Sequence, residues 1–181
     1  GRVGVTTAYS LLLKGLATEL VLFSRELEKA EGEKADLEHG MPFYPHTEII
    51  ATNRYEDLSG TDLVIFTAGS AQQPGQTRLD LTRGNCEIVE KMIPRIVREA
   101  PQTLILMVSN PLDIMTLKAI SVAKLPEGRV FGSGTLLDTA RFRLHLSKSV
   151  GISAKSIHAY ILGEHGDSSF AAVSTATIGG K

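Results

Sequence analysis

A histidine flanked by glycines and carboxylates is the clearest candidate for chemistry in this sequence. His165 lies in Gly163-Glu164-His165-Gly166-Asp167, directly after the apolar run at residues 159–162. Imidazole is the only side chain whose ordinary pKa lies near neutrality, and glycine permits positive φ or a close backbone approach to a ligand. The segment therefore predicts an active-site turn that transfers a proton, although a polar surface turn would have the same composition.

A second pair of residues upstream strengthens the catalytic interpretation. Asp138 and Arg141 are three positions apart in Leu137-Asp138-Thr139-Ala140-Arg141-Phe142-Arg143. If this segment is helical, both side chains lie on one face of the helix. The sequence thus offers a histidine, a carboxylate and a guanidinium for one site.

Composition limits the classes of function. The chain has 181 residues, 43% of them hydrophobic, which suffices for one large domain or for one domain and part of another. With 19 basic and 20 acidic residues, it gives no reason to expect nucleic acid or a membrane surface as partner, so small metabolites are favoured. Cys86 is the only cysteine, which excludes an internal disulfide and, with no cysteine cluster for a metal, indicates a reducing, cytoplasmic location. No apolar run is long enough to span a bilayer, and the N-terminus has no signal-peptide pattern.

Short apolar strands alternate with helices through most of the chain. Strands are predicted at residues 19–23, 47–51, 62–67, 104–108 and 129–131, and helices at residues 7–14, 26–39, 79–99 and 112–123. This alternation predicts an α/β fold with a doubly wound parallel sheet. Within the long third helix, Pro94 predicts a kink or a break.

The pattern changes after Gly132-Ser133-Gly134. A helix at residues 137–150 and a strand at residues 156–162 follow, with no further parallel crossover. We therefore predict a nucleotide-binding domain over residues 1–134 and the beginning of a second domain over residues 135–181.

Several residues fall at predicted strand ends, where doubly wound folds bind ligands. Gly1-Arg2-Val3-Gly4 is compatible with the end of a G-x-G-x-x-G phosphate turn, although chance also produces G-x-x-G. Arg78 follows the Pro74-Gly75 loop, and Asn110 lies at the tip of the next strand. A solvated charge and an ordinary Asn-Pro turn are the alternatives for these two residues.

Taken together, five motifs resemble the L-lactate and malate dehydrogenase family. They are Thr67-Ala68-Gly69, Pro74-Gly75-Gln76-Thr77-Arg78, Ser109-Asn110-Pro111-Leu112-Asp113, the Asp138 motif and the His165 motif. They follow the family's order along the whole chain. The resemblance implies a Rossmann-type domain whose first strand is missing, followed by the beginning of an α+β catalytic domain, so we expect a fragment cut at both ends.

The resemblance also implies how the site residues work. His165 would be the acid-base group that protonates the carbonyl oxygen of a 2-oxo acid, and Asp138 would hold its ring. Arg141 would bind the substrate carboxylate as a planar guanidinium. Arg78, on a closing loop, would polarise the carbonyl. Asn110 would contact both nicotinamide and substrate.

Gln72 bears on the choice of substrate. At this position the family's malate-type members have arginine, which pairs with a second carboxylate, whereas its lactate-type members have glutamine. A neutral side chain leaves an enclosed second carboxylate unpaired. The resemblance therefore implies hydride transfer between a nicotinamide cofactor and pyruvate or lactate. The alternatives are malate dehydrogenase and a nucleotide-binding module without catalysis.

The expected cofactor is NAD. The resemblance implies contacts from Gly1, Val3, Gly4, Ser24, Arg25, Lys29, Tyr55, Gly69, Val108 and Asn110. NAD-preferring members have aspartate at the position of Ser24, where the carboxylate binds the ribose and repels a 2′-phosphate. Serine removes that repulsion, and Arg25 supplies a cation. NADP is therefore a second hypothesis.

Two further cations are candidates for regulation. Arg143 and His158 match positions that bind fructose 1,6-bisphosphate in allosteric family members, although a helix-surface charge and a strand residue are the plain alternatives. The family forms homodimers or homotetramers, so the resemblance implies a homo-oligomer.

Overall fold

The computed structural model describes residues 1–70, 75 and 77–180, without the side chain of Arg78. Five helices and nine strands are described in these ranges. In chain order they are α1 Arg2–Lys14, β1 Glu19–Phe23, α2 Leu27–His39, β2 Glu48–Thr52, β3 Leu63–Phe66, α3 Arg78–Glu99, β4 Leu104–Met107, α4 Leu112–Ala123, β5 Val130–Gly132, α5 Leu136–Val150, β6 Ile157–His158, β7 Ile161–Leu162, β8 Phe170–Ala171 and β9 Thr177–Ile178. None of the helices in these ranges is long and apolar enough to cross a bilayer.

The first five strands are all parallel, as the alternation of strands and helices predicts. β1 pairs with β2, and β3, β4 and β5 pair in that order. The carboxyl ends of β3 and β4 therefore lie side by side, and the end of β1 is next to that of β2. The predicted α/β fold of Rossmann type is confirmed.

Two hydrophobic clusters correspond to the two groups of parallel strands. The larger one packs α3 and α4 on β3 and β4, and the side chains of Ile93, Ile105, Met107 and Met115 are completely buried there. The smaller one packs α1 and α2 on β1 and β2 around Leu12. Burial of a side chain of this size contributes about 1.5–3 kcal/mol, so these clusters hold the strand ends that carry the site.

Helix α1 begins earlier than the sequence pattern indicates. It starts at Arg2 with Gly1 as its N-cap and ends at Lys14, followed by Gly15 as a left-handed C-cap at φ 60°. Gly4 lies in the first turn, where a β-carbon would be only 2.9 Å from Thr67 Oγ1. Glycine at this position therefore lets α1 approach the end of β3 closely.

A capping box begins helix α3. The Thr77 hydroxyl accepts a hydrogen bond from the Asp80 N–H at 3.1 Å, and the Asp80 carboxylate accepts one from the Thr77 N–H at 3.3 Å. Hydrogen bonds from the Thr77 side chain and then its backbone lower the pKa of Asp80. The helix continues through Pro94 to Glu99, so the proline does not break it, and the alternative of a kink stays a prediction.

The single strand predicted at residues 156–162 is also wrong. The segment forms two short strands with different antiparallel partners, since β6 pairs with β9 and β7 pairs with β8. Between them, the Ala159 carbonyl accepts a hydrogen bond from Arg143 Nε at 2.9 Å, and the Tyr160 carbonyl accepts one from Ala172 N–H at 2.9 Å. The strand is interrupted because its two halves pair with different strands, and the bond from Arg143 connects the chain between them to α5.

Candidate active site

His165 and Asp138 form the shortest described contact between the predicted site residues. The imidazole Nδ1 lies 2.6 Å from Asp138 Oδ2, with 30% and 23% of the two side chains exposed. An ionised carboxylate only accepts hydrogen bonds, so Nδ1 carries the proton in this contact. The other ring nitrogen, Nε2, remains as the atom that can exchange a proton with a ligand.

Thr135, the N-cap of α5, and Thr139 on that helix hold the strand that leads to the histidine. The Thr135 hydroxyl donates to the Ile161 carbonyl at 2.6 Å, and the Thr139 hydroxyl accepts from the Ile161 N–H at 3.0 Å. Thr139 is 6% exposed, so these bonds lie largely away from water. Sequence reasoning missed both residues, although their spacing of four places them on one helical face.

Asp113 fixes the turn from the other side. Its carboxylate Oδ2 accepts a hydrogen bond from the backbone N–H of His165 at 2.8 Å. Asp113 lies in the first turn of α4, after the cis peptide bond between Asn110 and Pro111. Asp113 lies in the motif at residues 109–113, but no role was predicted for it from the sequence.

Gly163 shapes the chain just before the histidine. Its φ of 95° lies in the region that L side chains rarely adopt, and a β-carbon would be 3.2 Å from the Ser168 carbonyl oxygen. Glycine is therefore required here for the turn to return toward β8. Of the two glycines beside Glu164 and His165, Gly163 is the one with positive φ.

Arg141 lies on the same face of α5 as Asp138, as the spacing predicts. Its Nη1 is 3.5 Å from Asp138 Oδ1, and 62% of its side chain is exposed. The guanidinium is thus accessible to a ligand carboxylate beside the His165 and Asp138 pair. A planar guanidinium can bind such a carboxylate through two parallel hydrogen bonds.

A buried amide connects the loops after β3 and β4. Asn85, 2% exposed on α3, accepts from the Ser70 N–H and donates to the Asn110 carbonyl, both at 2.8 Å. Ser109 adds a bond from its hydroxyl to the Ala68 carbonyl at 2.6 Å. Gly69, Val108 and Asn110 therefore lie together at one edge of the sheet. Asn85 was also missed, because its partners are distant in sequence.

The predicted ribose-binding residues lie at the end of β1. The Ser24 hydroxyl accepts from the Glu26 N–H at 3.2 Å. Lys29 is paired with Glu26 at 2.6 Å, and this bond lowers the pKa of Glu26. Arg25 is exposed beside them.

Tyr55 is buried in the pocket next to this strand end. Its ring is 4.7 Å from that of Phe23, and the guanidinium carbon of Arg95 lies 4.0 Å from the centre of the tyrosine ring. Aromatic and cationic side chains in contact with one another can bind the adenosine part of a nucleotide. The close approach of α1 at Gly4 is what a pyrophosphate at the helix N-terminus requires. The residues present therefore fit a dinucleotide cofactor.

Other predicted residues are less informative. Gln72 lies outside the described residues, and for Arg78 only its place as the first residue of α3 is described. Gly1 is the N-cap of α1, and Val3 is 56% exposed on the same helix. No cluster of three metal-ligating side chains occurs in the described ranges.

The predicted regulatory residues lie on adjacent elements. Arg143 donates through Nε to the Ala159 carbonyl, and its guanidinium carbon is 4.6 Å from the centre of the Tyr160 ring. His158 is exposed on β6. Arg143 thus has a structural hydrogen bond through Nε, which is separate from any ligand that its two other guanidinium nitrogens bind.

Comparison with known proteins agrees with this geometry. A sequence model described as lactate/malate dehydrogenase, NAD binding domain, matches residues 1–132, and one described as lactate/malate dehydrogenase, alpha/beta C-terminal domain, matches residues 135–181. The L-lactate dehydrogenase of Thermoanaerobacter sp. (strain X514) is 47% identical over 99% of this chain, and that of Acetivibrio thermocellus is 48% identical over 99%.

Solved structures are similar over the whole chain. The minor L-lactate dehydrogenase from Enterococcus mundtii superposes with a TM-score of 0.95 at 42% identity, covering 100% of this chain and 58% of that one. A lactate dehydrogenase from a Medee basin deep-sea metagenome library gives 0.94 at 41% identity, with the same coverage of 100% and 58%. The chain likewise spans 58% and 56% of the length of the two curated relatives. The chain therefore belongs to the lactate/malate dehydrogenase family.

Proposed function

We propose that the complete protein is an NAD-dependent L-lactate dehydrogenase, which interconverts pyruvate and L-lactate. The observation that carries this proposal is the 2.6 Å contact between His165 Nδ1 and Asp138 Oδ2, which leaves Nε2 for proton transfer. The names of the relatives and of the solved neighbours support the same reaction. The match to the family's NAD-binding domain supports the cofactor.

In the proposed mechanism, the chain supplies the proton and the binding groups. The bound nicotinamide supplies or accepts the hydride. During reduction, His165 Nε2 gives its proton to the carbonyl oxygen of pyruvate, and Asp138 stabilises the imidazolium and keeps the ring oriented. During oxidation of lactate, the neutral imidazole takes the hydroxyl proton back.

The proposed substrate contacts surround that nitrogen. Arg141 binds the carboxylate, and a charge-assisted hydrogen bond of this kind contributes about 1.5–3 kcal/mol where water is excluded. Asn110, at the end of β4, contacts the carbonyl oxygen and the nicotinamide. Arg78 polarises the carbonyl. The neutral side chain of Gln72 disfavours a second carboxylate.

The proposed cofactor contacts follow the carboxyl edge of the parallel strands. The residues are Gly1, Val3, Gly4, Ser24, Arg25, Lys29, Tyr55, Gly69, Val108 and Asn110. Gly4 and the loops tied by Asn85 support this proposal, because they bring α1 and two strand ends together. Backbone N–H groups at such an edge bind pyrophosphate.

We also propose a domain boundary between residues 134 and 135, a homo-oligomeric state and a cytoplasmic location.

A fructose 1,6-bisphosphate site at Arg143 and His158 is proposed as well. Its support is that α5 and β6 bring a guanidinium and an imidazole to neighbouring elements. Titration of the complete protein with the sugar bisphosphate tests it, and an unchanged KM for pyruvate contradicts it.

A comparison of two substrates tests the proposed reaction. The complete protein encoded by the gene is assayed with NADH and either pyruvate or oxaloacetate. We expect the larger kcat/KM for pyruvate, because a neutral Gln72 leaves the second carboxylate of oxaloacetate unpaired. A larger kcat/KM for oxaloacetate, or no reduction of either acid, contradicts the proposal.

A further inference from the structure

A pocket of about 340 Å³ opens beside the end of β1, between the chain after β2 and the helix α3. Three of its lining side chains are cationic, namely Arg25, Lys91 and Arg95, and no lining residue is acidic. Phe23 and Tyr55 supply aromatic walls. The pocket thus combines positive charge with flat apolar surface.

Nearby carboxylates only weakly offset this charge. Lys91 has Glu87 at 4.0 Å, at the limit of an ion pair, and 78% of the lysine side chain is exposed. Glu26, the acid that follows Arg25, is paired with Lys29 at 2.6 Å. Arg95 lies over the Tyr55 ring rather than against a carboxylate. An anionic ligand would therefore be attracted to the pocket.

Ser24 adjoins the pocket in the chain. It lies between two pocket residues, Phe23 and Arg25, at the end of β1, where a carboxylate would bind a ribose diol and repel a phosphate. A serine hydroxyl can instead donate a hydrogen bond to a phosphate oxygen. A carboxylate at this position would therefore exclude a 2′-phosphate, whereas serine can accept one.

We propose that this pocket binds an adenosine carrying a 2′-phosphate, so that the protein uses NADPH as well as NADH. Ser24 and Arg25 bind the phosphate from the β1 side, and Lys91 and Arg95 supply positive charge from α3. Phe23 and Tyr55 provide the surface for the adenine ring. The inference rests on the proposed function in that it assigns a specificity to the same cofactor site.

Binding of two small nucleotides tests the proposal without turnover. Calorimetry on the complete protein compares adenosine 2′,5′-bisphosphate with adenosine 5′-monophosphate. We expect the bisphosphate to bind roughly tenfold more tightly or better at low salt, and the difference to shrink as salt is raised. Equal affinities, or tighter binding of the monophosphate, would overturn the proposal.

Variants assign the effect to residues. Ser24→Asp is expected to abolish the preference for the bisphosphate, because it restores the repulsive charge. Lys91→Gln and Arg95→Gln are each expected to reduce the preference by roughly threefold or more. Arg98→Gln is the matched control, since it removes the same charge from α3 at a residue that does not line the pocket. A preference that survives Ser24→Asp, or falls equally in Arg98→Gln, contradicts the proposal.

The outcomes separate this inference from the proposed function. Pyruvate reduction with NADH, together with equal binding of the two nucleotides, overturns the 2′-phosphate site alone. A preference for the bisphosphate without pyruvate reduction overturns the proposed reaction and supports the site. Failure to bind either nucleotide, together with no reduction of pyruvate, contradicts both.

Discussion

The carboxylate of Asp113 accepts a hydrogen bond from the backbone N–H of His165 at 2.8 Å. Asp113 belongs to the part of the chain matched by the NAD-binding domain, and His165 to the part matched by the C-terminal domain. Since Asp138 binds the imidazole of the same histidine, two carboxylates on different helices hold its backbone and its ring. The orientation of the proton-transferring group thus depends on both parts of the chain.

Removal of the Asp113 acceptor should loosen the turn. We expect Asp113→Ala to lower kcat/KM for pyruvate about tenfold, because an exposed charge-assisted hydrogen bond contributes about 1.5 kcal/mol, the low end of the usual range. Asp113→Asn should be milder, since the amide oxygen still accepts. Steady-state kinetics of the complete protein measure the effect. Glu164→Ala, which removes an exposed carboxylate beside the histidine, is the control, and an equal loss in both variants would contradict a specific role for Asp113.

The bond between Thr139 and Ile161 should contribute to stability. Thr139→Val keeps the shape of the side chain but leaves the Ile161 N–H without its acceptor. We expect the free energy of unfolding to fall by about 1–3 kcal/mol. Thr139→Ser retains the hydroxyl, so its free energy of unfolding should fall by less. Urea unfolding of the complete protein compares the two, and a valine variant as stable as the parent would refute the claim.

Two helical glycines should respond in opposite directions to alanine. At Gly4 a β-carbon would be 2.9 Å from Thr67 Oγ1, whereas at Gly32 nothing lies within 4 Å. We expect Gly4→Ala to destabilise the protein by about 1–3 kcal/mol through overpacking. Gly32→Ala should stabilise it by about 0.4–1 kcal/mol, because alanine restricts the unfolded chain. Thermal unfolding tests both, and a stabilising Gly4→Ala would show that α1 is not closely packed.

The capping box of α3 should make the free energy of unfolding depend on pH. The pKa of Asp80 is lowered in the folded chain, chiefly by the Thr77 side chain. The stabilisation is therefore present above the ordinary carboxyl pKa of about 3.9. It disappears as the pH falls through the lower folded value. We expect Asp80→Asn to lower the free energy of unfolding at neutral pH, and this loss to shrink in acid. Glu127→Gln, which changes an exposed carboxylate outside a cap, should alter the free energy of unfolding little at either pH. Urea unfolding measures both. A deficit independent of pH would contradict this assignment.

Features with a local cause could be predicted from the sequence. β1 and α4 have the predicted bounds, because short apolar runs and helix periodicity are complete within those segments. The left-handed cap at Gly15 is equally local. The spacing of Asp138 and Arg141 correctly indicated a shared helical face.

Features with distant partners could not be predicted in this way. Residues 156–162 read as one strand, but the partners β8 and β9 lie later in the chain and divide the segment into two. Asn85 binds groups 15 and 25 residues away, and Asp113 binds the N–H of a residue 52 positions later. Nothing in the sequence around these polar residues distinguishes them from other surface side chains.

The contact between His165 and Asp138 is tested most directly by stopped-flow measurement of a single turnover. The complete protein is loaded with NADH and mixed with pyruvate, and the rate of cofactor oxidation is compared in the parent and in Asp138→Asn. Since acid-base catalysis by a positioned group contributes about 10²–10⁴-fold, we predict a rate loss in that range while the affinity for NADH is unchanged. A rate close to that of the parent would contradict the central claim.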